Sequence, residues 1–228
     1  MKKIVVLTGA GISAESGIST FRDSNGLWEN HDIMEVASPQ GWENNPALVL
    51  DFYNKRRRQA HKAKPNSAHL ALAELEKNYK VVVITQNVDN LHEKAGSSNI
   101  IHLHGQLMVV RSTIDPFYAR EETGDIHIGD LCPKGGQLRP HIVWFGEPVP
   151  MLNQAAMEVS TADIIIIIGT SMAVYPAAGL VAYASNSTPI YYIDPKPTIN
   201  FELSNRSKLV VIDKVATKGM KELMEILQ

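Results

Sequence analysis

"VVLTGAGISAESGISTFRD" (residues 5–23) decides how this chain is read. A β-branched apolar run gives way at Gly9-Ala10-Gly11 to a stretch with helical character. A strand that turns there into a helix aims backbone N–H groups at a point where a pyrophosphate can sit. The spacing is not G-x-G-x-x-G, because the next glycine after Gly11 is Gly17. Nor does an acidic residue close a second strand about 20 residues on, as a dinucleotide fingerprint would have it. The stretch is therefore a nucleotide loop or an ordinary tight turn, and it speaks against a conventional dehydrogenase.

Outward from it, the same kind of run recurs. "KIVVL" (3–7), "VVVI" (81–84), "IIIII" (164–168), "IYYI" (190–193) and "LVVI" (209–212) read as strands buried on both faces. Helical patterns fall between them over 46–62, 67–78, 153–160, 175–185 and 216–227. Strand and helix in alternation predict an α/β fold, a Rossmann-like parallel sheet flanked by helices. Two regions break the rhythm: 24–64, with a basic helix, and 106–141, polar and punctuated by Gly and Pro. They are expected to form a smaller inserted domain of 31–64 and 106–141, leaving 1–30, 65–105 and 142–228 to the large one.

Hydrophobic residues make up 44% of the 228 and charged residues 20%, which fits a soluble globular protein with a sizeable core. The net charge of −2 gives no field that would draw nucleic acid or an anionic membrane. One cysteine excludes an internal disulfide and fits a reducing compartment. The apolar run after Lys2-Lys3 is too short for a signal peptide, and "IIIIIG" (164–169) is too short for a membrane span. A cytoplasmic location is expected.

Polar residues follow the buried runs directly. In "ITQNVDNLH" (84–92), Gln86, Asn87 and Asp89 stand where an α/β sheet binds ligands, although Asn87 and Asp89 serve equally as helix caps. In "IIHLHGQL" (100–107), His102 and His104 alternate, so a strand would put both on one face, and a histidine beside glycine is a fair general base. Gly169-Thr170-Ser171 end another run with small residues and hydroxyls. Asp194 ends "IYYID" and could take ribose hydroxyls or simply make a turn.

Taken in order, "GAGISAESGISTFR", "TQNVDNLH", "HLHG", "LRPHIVWFGE" and "GTSMAVYPAAGL" resemble the sirtuins, NAD-dependent protein-lysine deacylases, over nearly the whole chain. The resemblance implies that NAD is consumed and that acyl-lysine meets it between the two domains. Gly9, Ala10, Gly11, Phe21 and Arg22 would hold the phosphates and nicotinamide ribose. Gln86, Asn87 and Asp89 would hold ribose and carboxamide. Gly169, Thr170, Ser171 and Asp194 would hold the adenosine side, with Ala216 near the adenine. Asp194 stands where many relatives carry Asn or Glu. His104 would be the general base, with Asn87 beside it in the catalytic set. "HIVWFGE" (141–147), with Val143, Trp144 and Phe145, would be an edge strand that pairs with the substrate backbone.

The basic helix "LVLDFYNKRRRQAHK" (48–62) has two readings. Lys55, Arg56, Arg57 and Arg58 could be one solvated face. Tyr53 and Arg56, three apart, project from the same side of a helix, and the pair resembles the Tyr-x-x-Arg of sirtuins that remove succinyl and malonyl groups. Ala37 in "EVASPQGW" matches the small residue that leaves room for such a group. Most sirtuins also carry two Cys-x-x-Cys pairs that hold zinc. Here "VVRSTID" (109–115) has no cysteine, and only Cys132 remains of the second pair. No zinc is expected, and Ile114, Phe117, Tyr118, Ile126, Ile128 and Leu131 are expected to close the small domain by packing. A mono-ADP-ribosyltransferase or NAD glycohydrolase using the same NAD site, and a non-catalytic binding module, are the alternatives. Acyl-lysine proteins or peptides are the expected partners.

Overall fold

A computed structural model describes residues 1–20, 27–28 and 31–227. In chain order its first elements are β1 (Lys3–Thr8), α1 (Gly11–Ala14), β2 (Leu27–Trp28), β3 (His31–Asp32), α2 (Ile33–Val36) and α3 (Pro39–Asn44). Then come α4 (Pro46–Lys62), α5 (Ser67–Leu75), β4 (Lys80–Thr85), α6 (Leu91–Ala95), β5 (Ile100–His102) and β6 (Gly105–Ser112). The rest are β7 (Ala119–Glu121), β8 (Leu138–Ile142), α7 (Leu152–Ser160), β9 (Ile164–Ile168), β10 (Ile190–Ile193), α8 (Phe201–Ser204), β11 (Leu209–Ile212) and α9 (Ala216–Ile226). The expected helix at 175–185 is a shorter 3₁₀ segment, Ala177–Tyr183.

Six strands form one sheet in the order β11-β10-β9-β1-β4-β5, and every neighbouring pair is parallel. β-Branched side chains suit this because they are stiff and pack well on a pleated surface. Alternate residues serve opposite faces. Val5, Leu7, Ile165 and Ile167 pack on Ala155, Val159, Leu180 and Val181, from α7 and the 3₁₀ segment. Ile4, Val6, Ile164 and Ile166 pack on Leu72, Leu75, Met220 and Leu223, from α5 and α9. The fold is α/β and Rossmann-like. The chain leaves β1 toward β4 and β5, then returns to the other side of β1 at β9. This reversal opens a crevice at the carboxyl ends of β1 and β9.

β6 pairs antiparallel with β7 and β8 in a separate three-stranded sheet. Helix α4 lies against it, started by Asn45, whose side chain accepts from Leu48 N, and by Pro46 in the first turn. Of the two readings of the basic helix, one solvated face does not hold for all four side chains: Arg56 is 7% exposed and Arg57 0%. The packing expected of the small sheet is also different. Ile126 is buried and Tyr118 is partly buried against it, but Ile114, Phe117, Ile128 and Leu131 face solvent, Phe117 at 95% exposure. Among the described residues no helix is long and apolar enough to cross a membrane.

Candidate active site

The first glycine-rich loop is shaped by another loop before any ligand is considered. Gly11 N donates to the Gly169 carbonyl at 2.8 Å, so the turns after β1 and β9 touch backbone to backbone. A Cβ on Gly11 would stand 2.6 Å from Gly169 Cα, and one on Gly9 would stand 2.7 Å from Gly169 O. Gly169 itself has φ +62°, in the left-handed region. Only glycine allows this approach, which places both turns on one wall of the crevice.

Polar side chains after β4 complete that wall. Gln86 Nε2 donates to Thr170 Oγ1 at 3.0 Å, joining the ends of β4 and β9. Asn87 Nδ2 donates to Gly9 O at 3.1 Å and to Ser13 Oγ at 3.2 Å, joining β4 to the first loop. Asp89 accepts from Ser13 Oγ at 3.1 Å and from Leu91 N at 3.0 Å. It thus binds the first N–H of α6 from just before the cap position, Asn90, whose own side chain makes no capping bond, and burial raises the pKa of the Asp89 carboxyl. Beneath lie His69 and His92, ring centroids 5.0 Å apart, with His92 Nε2 3.0 Å from Thr8 Oγ1. Burial lowers their pKa values to about 4 and about 3.

His102 and His104 do not share a strand face. β5 ends at His102, whose Nε2 lies 2.7 Å from Glu93 Oε1, while Leu103 and His104 form a turn. His104 Nδ1 lies 3.1 Å from the Gln86 carbonyl. A carbonyl only accepts, so Nδ1 carries the proton and Nε2 keeps the lone pair. Burial lowers the His104 pKa, partly opposed by the Gln86 carbonyl, which keeps the ring neutral near pH 7.

"HIVWFGE" is strand only as far as Ile142. Val143 N donates to His104 O, Phe145 N to Ala37 O, both at 2.9 Å, and Trp144 N to Glu147 Oε2 at 2.8 Å. These three donors are spent inside the molecule. The segment ties the turn holding His104 to Ala37 at the end of α2.

A cavity of about 460 Å³ unites these groups, within the size range of small-ligand sites. Gly9, Ala10, Gly11, Gln86, Asn87, Asp89, His104, Gly169, Thr170, Ser171 and Asp194 line it. So do Ala37, Tyr53, Arg56, Val143, Trp144 and Phe145. Ala216 does not: it is 3% exposed in the core under α9, and Val215 before it lines the cavity in its place. Phe21 and Arg22 lie outside the described residues. Sequence reasoning missed Glu15, Leu107, Tyr175 and Lys196, which also line the cavity. Only Lys196, two residues after Asp194 at a strand end, carried a signal that could have found it.

The donor set does not fit a four-ligand zinc site. Cys132 is buried with Leu50, Val110, Ile126 and Leu138, and its Sγ accepts from Ser112 Oγ at 3.2 Å. Among the described residues no three His, Cys, Asp or Glu side chains gather as metal ligands.

Comparison with known proteins agrees with this geometry. The Sir2 family pattern matches residues 9–176. A Helicobacter pylori protein named NAD-dependent protein deacylase is 58% identical over 224 residues, covering 98% of this chain and 96% of the relative. A solved Sir2 homologue–NAD complex superposes with a TM-score of 0.88 at 43% identity, over 99% of this chain and 89% of that one. A mutant Sir2 homologue with ADP ribose gives 0.89 at 42% identity, over 98% and 91%. Likeness of this extent in both sequence and fold has one meaning: the chain belongs to the Sir2 family.

Proposed function

We propose that this protein is an NAD-dependent protein-lysine deacylase that removes acetyl groups and, through Tyr53 and Arg56, succinyl and malonyl groups. The observation that carries the proposal is one cavity in which His104, Asn87 and the paired loops at Gly9 and Gly169 meet Tyr53 and Arg56. The names of the relatives support the NAD-dependent deacylase reading. When bound, NAD would supply an electrophilic ribose carbon and a nicotinamide leaving group, so that acyl-lysine, NAD and one water would give nicotinamide, O-acyl-ADP-ribose and the free lysine.

The chain's own residues would divide the work as follows. The backbone at Gly9, Ala10 and Gly11, with Phe21 and Arg22, would hold the phosphates and nicotinamide ribose. Gln86, Asn87 and Asp89 would hold ribose and carboxamide, and Gly169, Thr170, Ser171 and Asp194 the adenosine side. Neutral His104, with Nε2 unprotonated, would take the proton of a ribose hydroxyl. A largely apolar wall of Ala37, Leu107, Ile142 and Trp144 would keep water from competing. The acylated lysine would enter between the large domain and the inserted one. A guanidinium at Arg56 would take the far carboxylate of an acidic acyl group, helped by the Tyr53 phenol.

The test is to incubate acetyl-, succinyl- and malonyl-lysine peptides with NAD and read the products by mass spectrometry. Nicotinamide and acylated ADP-ribose should appear together from all three. His104→Tyr should cut turnover by about 10²–10⁴-fold, and Arg56→Met should lower the succinyl-to-acetyl ratio of kcat/KM. Nicotinamide release without acylated ADP-ribose would turn the assignment toward glycohydrolase or transfer of ADP-ribose.

A further inference from the structure

The turn after β9 lines the cavity with Gly169, Thr170 and Ser171, and its backbone is not relaxed. Met172 has φ +52°, and among the described residues it is the one non-glycine in the left-handed region. A side chain with a Cβ enters that region at a cost and stays there only where its surroundings hold it. Three contacts do so here. The Met172 side chain is buried in the cluster that also contains Tyr192 and Leu203. Its N–H donates to Thr170 Oγ1 at 3.3 Å. Its carbonyl accepts from Asn200 Nδ2 at 3.1 Å.

A second bond acts beside it. The Tyr192 hydroxyl donates to Thr170 O at 2.8 Å and accepts from Thr198 N at 3.2 Å. A carbonyl only accepts and an amide N–H only donates, so the hydroxyl proton lies on the Thr170 side. Both carbonyls of the turn are thus drawn toward β10 and the segment 198–200. In a planar trans peptide the C=O and the next N–H point in opposite directions. Drawing Thr170 O back therefore turns the Ser171 N–H away from Tyr192, and Ser171 lines the cavity. Tyr192 and Asn200 are not among the lining residues, but Asp194, Pro195 and Lys196 between them are. The stretch that supplies one rim of the cavity holds the opposite rim from behind.

We infer that Asn200, acting with Tyr192, is a positioning residue for NAD: it holds the strained Met172 carbonyl so that the turn after β9 presents one fixed surface to the adenosine side. The inference rests on the NAD-dependent deacylase reading above. It adds to that reading two residues that stand outside the cavity.

Asn200 makes a second bond that lets a test separate positioning from folding. Its Oδ1 accepts from Leu203 N at 3.1 Å and caps α8. Asn200→Asp keeps that cap and removes the donor to Met172, whereas Asn200→Ala removes both. The readouts are steady-state kinetics with an acetyl-lysine peptide and titration calorimetry with ADP-ribose. Both variants should raise the KM for NAD and weaken ADP-ribose binding by about two- to tenfold, the fold-change of one neutral hydrogen bond, because a smaller fraction of the turn is then competent to bind. The KM for the peptide, and kcat at saturating NAD, should not change. Asn200→Asp should also keep the wild-type melting curve, and Tyr192→Phe, which keeps the ring, should shift the KM for NAD in the same direction. If Asn200→Asp has the NAD and ADP-ribose affinities of the wild type, Asn200 is a cap alone and the inference is overturned. A rise in the KM for peptide equal to that for NAD overturns it too. A wild-type chain that neither binds ADP-ribose nor consumes NAD overturns the deacylase reading itself, whereas binding by the wild type matched in Asn200→Asp removes only the positioning role.

Discussion

In the parallel sheet, Ile4, Val6 and Ile166 are fully buried and meet other hydrocarbon. Against the small sheet, Arg57 of α4 is just as fully buried and meets oxygen: Nε donates to Leu107 O at 2.8 Å, and Nη1 to Asn54 Oδ1 at 2.9 Å and Gly124 O at 3.2 Å. Asn54 then exchanges two hydrogen bonds of 2.9 Å with the backbone of Ile126. The large region is held by area, which is tolerant of direction, and the small one by a few directed bonds, each of which matters. Two small apolar clusters assist it, but much of the small sheet's hydrocarbon, Phe117 included, faces solvent.

The contrast can be broken first at a polar pair buried in the large region, His69 and His92 under the β1 and β4 ends. Both are held neutral by burial, with pKa values of about 4 and about 3 against 6.5 for the free side chain. The unfolded chain therefore binds protons below about pH 6.5 that the folded chain refuses until much lower pH. Their stabilising effect is complete above pH 6.5 and is lost progressively as pH falls toward 4 and then 3. At pH 5 each histidine should have removed roughly 2 kcal/mol. His104 and His141, also lowered by burial, act in the same direction. Urea titrations at pH 7.5 and pH 5 measure the difference, and His92→Asn should flatten it. A stability independent of pH over this range would mean that the large region has no such weak point.

The second break is Arg57→Met, which takes the guanidinium donor from Leu107 O and Gly124 O and leaves Asn54 Oδ1 with Ile126 N alone. Charged-donor hydrogen bonds are worth about 1.5–3 kcal/mol, so losing this set should cost about 3 kcal/mol. The loss should be local. Amide exchange should quicken in β6 and β8 and stay slow in β1, β4 and β9, and the KM for acyl-peptide should rise because Tyr53 shares α4 with Arg57. Uniformly faster exchange would show that the two regions unfold as one.

The same difference decided what could be read in advance. Continuous β-branched runs announce β1, β4, β9 and β10, because a strand buried on both faces needs apolar residues at every position; "LVVI" is a strand too, but at the sheet edge, with Val210 and Val211 exposed rather than buried on both faces. The loop residues of the site were legible for a related reason: Gln86, Asn87 and Thr170 are abrupt polar residues after such runs. The small sheet has no comparable pattern. Its longest strand, β6, mixes buried with half-buried positions instead of running apolar throughout, its cohesion draws on Asn54 and Arg57, and an arginine in "KRRR" looks like a solvated charge until its partners are seen. "HIVWFGE" reads as strand by composition, yet its N–H groups go to His104, Ala37 and Glu147. At the start of α9 it is Val215 that lines the cavity and Ala216 that is buried beneath, because sequence does not fix which side of a helix start faces a cavity.

The smallest effect is expected at Cys132, and it is informative for that reason. If the small sheet were closed by a metal, removing its one thiol would be severe, because structural zinc contributes folding energy directly. Cys132 instead behaves as a small hydrophobe among Leu50, Val110, Ile126 and Leu138, with one weak bond from Ser112. Cys132→Ala should therefore lower the melting temperature by only about 2–4 °C, the shift of a minor packing loss in a chain of this size. The same preparation should hold far less than one zinc per chain by elemental analysis, and a chelator should leave its melting curve in place. Stoichiometric zinc, or unfolding by chelator, would move the small sheet into a third category, held neither by area nor by the bonds of Asn54 and Arg57.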